Sequence, residues 1–155
     1  MSIQPERLIN AASMQLSGID KHYTFQEMDQ IPVQWSQFGP RLGAIPGQVG
    51  AVGYDLCHNM DTSGFHYMSC AEVSGGFDLP AELATKTLPA QRYAVFRHED
   101  HVSKISETVD AIWQGWLPQS ECEVVGDPVM LERYGETFCP DKGIGDVEIW
   151  IAIKP

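Results

Sequence analysis

No run of this 155-residue chain approaches the ~18 consecutive apolar residues of a membrane span, and its first residues, Met1 to Pro5, lack the basic start and apolar core of a secretory signal. The expectation is a cytoplasmic protein with no membrane partner. Basic residues are scarce. Ten Lys and Arg stand against 21 Asp and Glu, a formal charge of −11, and such a field repels phosphate backbones, so direct nucleic-acid binding is not expected. The same field concentrates cations, including positively charged small molecules. Cysteines are few and dispersed. Cys57, Cys70, Cys122 and Cys139 form no CxxC pair, which excludes a zinc ribbon or thioredoxin motif and leaves four reduced thiols. Catalytic signatures are missing as well: there is no G-x-S-x-G elbow and no HExxH, and the glycines from Gly43 to Gly50 lack the Lys-Ser/Thr ending of a phosphate loop. No cofactor is implied.

What is present is ordinary globular composition, 43% hydrophobic and 20% charged, over a length that suits one domain spanning residues 1 to 155. Apolar residues between 7 and 19 suggest a first strand. Thr24 and Glu27 have the spacing of a capping box, and Phe25, Met28, Ile31, Trp35 and Phe38 recur at helical intervals, with Pro32 kinking or restarting a helix over about 25 to 38. Short strands are expected at 51 to 57 and 64 to 73, and another over 86 to 97. Val102, Ile105, Val109, Ile112, Trp113, Trp116 and Leu117 then write an amphipathic helix, with Asp100 placed to cap it and Pro118 to stop it. Strands at about 121 to 125, 129 to 135 and 146 to 153 follow.

Each half therefore reads strand, helix, strand, strand. Trp35-x-x-Phe38 and Trp113-x-x-Trp116 are offset by 78 residues, and that offset sets Tyr54 opposite Glu132. The expectation is an internal duplication of residues 7 to 73 and 88 to 153.

Four stretches then carry a family resemblance: Ala90-Gln-Arg-Tyr-Ala-Val-Phe-Arg-His98, Ile112-Trp-Gln-Gly-Trp-Leu-Pro118, Met130-Leu-Glu-Arg-Tyr134 and Val147-Glu-Ile-Trp-Ile-Ala-Ile153. Together they resemble the GyrI-like family, the effector-binding domain of AraC-type and MerR-type multidrug regulators and of free-standing gyrase-inhibitor-like proteins. The resemblance implies an α+β fold, two pseudo-twofold βαββ units forming an antiparallel sheet with two main helices on one side. It also implies a pocket glutamate that receives cationic aromatic compounds, which maps onto Glu132 and, more loosely, onto Glu148 and Trp150. The sequence departs from the family at the strand-to-helix turn, where His98-Glu-Asp100 replaces His-x-Gly, and the expectation is a stand-alone form without a flanking helix-turn-helix. A regulatory role would then call on a separate DNA-binding partner.

Read from the residues alone, Met130, Glu132 and Tyr134 share one strand face. In the last strand Val147, Ile149, Ile151 and Ile153 make an aliphatic core face, leaving Glu148 and Trp150 side by side on the other. A carboxylate beside an aromatic ring suits an organic cation through charge and cation-π attraction. The candidate ligand-binding residues are Glu132, Trp113, Trp35, Tyr54, Tyr134, Glu148 and Trp150. The His98-Glu-Asp-His101 cluster sits where acidic residues cap a helix and offers no third ligand, so no metal site is expected. The reading is a small-molecule-binding module for cationic amphipathic or aromatic compounds. Its alternatives are a protein that inhibits or protects a macromolecule such as DNA gyrase, and a hydrolase using Glu132.

Overall fold

A computed structural model describes residues 3 to 155. The chain forms two compact units, one running from Ala12 to Ala90 and the other combining the stretch that ends at Ala11 with Gln91–Pro155. The α+β class and the two βαββ motifs are as expected.

The contiguous unit holds β2 (Met14–Tyr23), α1 (Ile31–Phe38), β3 (Gly53–His58), β4 (Phe65–Val73) and β5 (Ala84–Leu88). The other holds β1 (Arg7–Ala11), β6 (Gln91–His98), α2 (Ile105–Asp110), β7 (Met130–Tyr134) and β8 (Val147–Ile153). Every ladder within the units is antiparallel. Strand order is β5-β2-β4-β3 in the first and β1-β6-β8-β7 in the second. The two units thus have the same topology, with β5 playing in one the part that β1 plays in the other.

Two of the expected strands prove to be pairs. The stretch from residue 7 carries both β1 and β2, and the stretch from 86 carries β5 and β6, because Pro89 cannot donate to a ladder and the chain turns there. Residues 121 to 125 make only an isolated bridge, Val124 to Ile153. The backbone amide of Thr24 donates to the Glu27 carboxylate at 2.8 Å, one arm of a capping box. A 3-10 turn at Met28–Gln30 follows, and α1 then starts with Pro32 in its first turn, where the missing N–H would have had no partner. Pro32 restarts the helix rather than kinking it.

The second helix departs from α geometry. After Ile105–Asp110 it widens into π-helical turns over Ala111–Trp116 and closes with a 3-10 turn at Leu117–Gln119. Its N-terminal cap is His101, whose imidazole accepts from the Ser103 amide, while the Asp100 carboxylate accepts from the His101 amide.

Each helix covers one face of its own sheet. Ile112 and Trp116 pack on Ala94, Phe96, Ile149, Ile151 and Ile153, and burying each of these isoleucines contributes ~1.5 to 3 kcal/mol. Phe38 packs on Ala71 and Val73. In both helices the second aromatic of the W-x-x-aromatic pair, Phe38 or Trp116, is buried and the first, Trp35 or Trp113, is half-buried. This repetition supports the duplication.

Candidate functional site

The ladders decide which side chains stand under the helices. Glu132 lies directly across from Ile149, so it shares the α2 face, with Met130 and Tyr134 beside it. Glu132 is half-buried, and the Tyr134 hydroxyl donates to its Oε1 at 2.9 Å. The Tyr134 ring in turn lies 5.1 Å from that of Phe138, tilted by 60°. Among the described residues no Lys or Arg comes within ion-pair distance of this carboxylate. Trp113 and Met130 both pack at the margin of the α2 core cluster. Glu132, Tyr134 and Trp113 therefore belong to one helix-covered face.

In the contiguous unit the corresponding face carries a different carboxylate. Asp55 pairs with Ser69, which lies on the α1 side with Ala71 and Val73. Its Oδ2 accepts from the Tyr67 hydroxyl at 2.8 Å, and the Tyr67 oxygen accepts from Trp35 Nε1 at 2.6 Å. Asp55 and Tyr67 are both buried. Beside them the fully buried Gln34 accepts from the Tyr23 hydroxyl and donates to the Ile19 and Tyr67 carbonyls and the Ser69 hydroxyl.

This placement corrects the expected equivalence of Tyr54 and Glu132. Tyr54 pairs with Cys70, one residue off the α1 face, so its side chain points away from α1 while Glu132 lies under α2. Because side chains alternate, an offset wrong by one reverses the face. An offset of 77 matches Asp55 with Glu132. Asp55 was legible only in that register.

Glu148 and Trp150 stand on the face away from α2, as the alternation implies, but not as a vacant receptor. Glu148 is 2% exposed. Arg7 donates to both of its oxygens at 2.8 and 3.2 Å, Arg97 at 3.0 Å and Trp150 Nε1 at 3.1 Å, and Arg133 lies 3.5 Å away. Burial pushes the carboxyl pKa up, but the hydrogen bonds from Arg7 and Trp150 and the charges of Arg7 and Arg133 outweigh it and hold the group below its ordinary value. Asp146 is likewise held low, by its hydrogen bond to Arg97 and by Arg133 nearby. Trp150 is buried, and its ring lies 5.2 Å from that of Tyr93, whose phenol burial pushes up. A carboxylate so fully supplied with donors has no lone pair left for an organic cation. Glu148 and Trp150 are thus engaged within their own unit.

His98 and His101 are also engaged within the fold. His98 is buried, with Nδ1 at 2.7 Å from the Thr108 hydroxyl and Nε2 at 2.8 Å from the His101 carbonyl, so it ties β6 to α2. A cavity of about 380 Å³ in this unit is lined by Leu8, Arg92, Cys122, Ile153 and Lys154, among others, and by none of the candidate residues. Among the described residues no helix is long and apolar enough to cross a membrane.

Comparison with known proteins agrees with the fold. The transcriptional regulator BrlR of Pseudomonas aeruginosa is 29% identical over 133 residues, 85% of this chain and 48% of the regulator, so the chain spans about half of that relative's length. Among solved structures, SAV2435 bound to tetraphenylphosphonium superimposes with a TM-score of 0.74 at 21% identity, covering 96% of this chain and 93% of that one. The C-terminal domain of EcmrR gives 0.69 at 15% identity, with 99% of each chain covered. At such identities the structural likeness speaks for the fold alone. The family model of the GyrI-like small molecule binding domain matches residues 7–154, nearly the whole chain, and the protein belongs to that family.

Proposed function

We propose that this chain binds cationic amphipathic or aromatic compounds, with Glu132 as the charge receptor and Tyr134 and Trp113 as aromatic contacts. The carrying observation is the contrast between two carboxylates of one unit. Glu148 is surrounded by three arginines, whereas half-buried Glu132 meets one phenol hydroxyl and no cation among the described residues. An acceptor that keeps free lone pairs on an apolar face rewards a cation that brings its own apolar surface, through Coulomb attraction and ring contacts worth ~0.5 to 2 kcal/mol each. The tetraphenylphosphonium bound to SAV2435 has this chemistry, and BrlR is a transcriptional regulator. Both support a cytoplasmic effector module whose DNA-binding function lies in another segment or partner.

The test is calorimetric titration of tetraphenylphosphonium and of neutral triphenylphosphine oxide into wild type and Glu132→Gln. The substitution keeps the shape and removes the charge. Affinity for the phosphonium should fall by tenfold or more, about 1.4 kcal/mol, while the neutral analogue binds nearly as before. Equal losses for both ligands would remove Glu132 as the receptor.

A further inference from the structure

Three of the chain's five histidines meet at one place. On the face of the contiguous unit away from α1, His66 of the middle strand β4 pairs directly with His22 of β2 on one side and with His58 of β3 on the other. The three imidazoles form a row across adjacent strands, with ring centroids 5.1 Å apart for His22 and His66 and 5.3 Å for His58 and His66. Asp20, two residues before His22 and therefore on the same face, reaches into the row. Its oxygens lie 3.1 and 3.0 Å from His58 Nε2, and Oδ1 is 3.9 Å from His66 Nδ1.

We propose that Asp20, His58 and His66 bind a divalent transition-metal ion of the zinc class. One ligand atom from each lies within 4.8 Å of the others. Metal–nitrogen bonds of 2.0–2.1 Å at tetrahedral angles set ligand atoms about 3.4 Å apart. The His58–Asp20 separation already lies near that figure, and a small rotation of His66, whose side chain is 39% exposed, closes the remaining gap. Two imidazoles and a carboxylate suit zinc, nickel, cobalt or copper better than magnesium or calcium, which prefer oxygen. The chain's charge of −11 favours a dication.

Sheet packing does not call for this arrangement. His58 is 7% exposed; its Nε2 meets Asp20, its ring lies against that of His66, and its buried Nδ1 has no hydrogen-bond partner among the described residues. Three exposed or half-exposed strand positions filled by His22, His66 and Asp20 would otherwise suit any polar residue. A bound ion would clamp β2, β3 and β4 together at this end of the unit. The site uses none of the residues proposed for organic cations, so each reading can fail without the other.

The test uses the untagged full chain, titrated with Zn(II) against a chromophoric chelator and with Co(II) followed by visible absorption. One zinc per chain is expected, with a rise in unfolding temperature on addition and a cobalt spectrum of nitrogen and oxygen ligation without thiolate charge transfer. Asp20→Asn and His66→Ala should each weaken zinc at least tenfold. Both positions are partly exposed, so both variants should fold, whereas buried His58 is a poorer target. A variant with Cys57, Cys122 and Cys139 replaced by Ser should bind as wild type does. Undiminished binding in His66→Ala, loss of binding in the cysteine variant, or no saturable binding by wild type would each overturn the site.

Discussion

Replacing Glu148 by Gln separates a structural carboxylate from a ligand receptor. In the wild type this 2%-exposed group accepts from Arg7, Arg97 and Trp150 and lies beside Arg133. The amide would leave three guanidinium groups around a neutral side chain and would turn donor hydrogens toward donors. Removing one member of a buried, hydrogen-bonded charge cluster costs about 3–5 kcal/mol. At roughly 2–4 °C per kcal/mol for a chain of this size, the midpoint should fall by roughly 6–20 °C. The pH dependence identifies the cause. Because the native carboxyl is held below its ordinary value, its contribution is complete above the unfolded-state pKa and disappears as pH falls through the native one. The gap between wild type and Glu148→Gln should therefore be widest at neutral pH and narrow on acidification below the ordinary carboxylate range. Denaturant unfolding at several pH values measures it, and a parallel titration with tetraphenylphosphonium should find the folded variant binding as wild type does. A gap below about 1 kcal/mol at neutral pH would refute the reasoning, as would a gap indifferent to pH. So would intact stability with lost phosphonium affinity, which would make Glu148 the receptor.

Trp150→Ala should lower stability by about 3–5 kcal/mol in chemical denaturation, since the side chain is buried against Tyr93, without selective loss of phosphonium binding. Gly18→Ala should destabilise by at least about 1–3 kcal/mol in the same assay, because a Cβ there would meet the Ser69 carbonyl oxygen and the Cys70 backbone of the paired strand. Burial first, and then the charges of Asp55 and Asp20, push the Cys70 thiol well up. An aromatic disulfide reagent should accordingly label Cys57, Cys122 and Cys139 in the native protein and reach Cys70 only after unfolding.

The aliphatic alternation of Val147, Ile149, Ile151 and Ile153 wrote β8 and its helix-facing side into the sequence, and the spacing of Val102 to Leu117 did the same for the second helix. Its π-helical turns were not legible, since periodicity over a dozen residues does not separate 3.6 residues per turn from a locally wider helix. Glu132 and Tyr134 could be placed on one face by parity alone. Asp55 could not, because an offset of 78 taken from helix landmarks carries an error of one residue into the strands, where one residue is the whole difference between faces. The saturation of Glu148 was equally hidden: its main partner, Arg7, is 141 positions away and becomes a neighbour only when β1 pairs with β6. Asp20, His58 and His66 escaped notice for the same reason, since their spacing follows no ligand motif and strand pairing alone assembles them.

The pairing of Ala11 with Gln91 at one end of the β1–β6 ladder gives the chain an unusual logic of assembly. Residues 12 to 90 are inserted where a two-residue hairpin turn would otherwise stand, and Met14 and Leu88 close the base of that insert by pairing with each other. The unit that duplicated in sequence is thus not the piece that could be excised. A fragment starting near residue 88 would keep α2, β7 and β8 but leave β6 with an open edge and Glu148 without Arg7. Joining Ala11 to Gln91 through Asn-Gly would restore both the edge and the ion pair in about half the length. The insert, whose own ends already meet, is the segment that a permuted or truncated chain should carry intact.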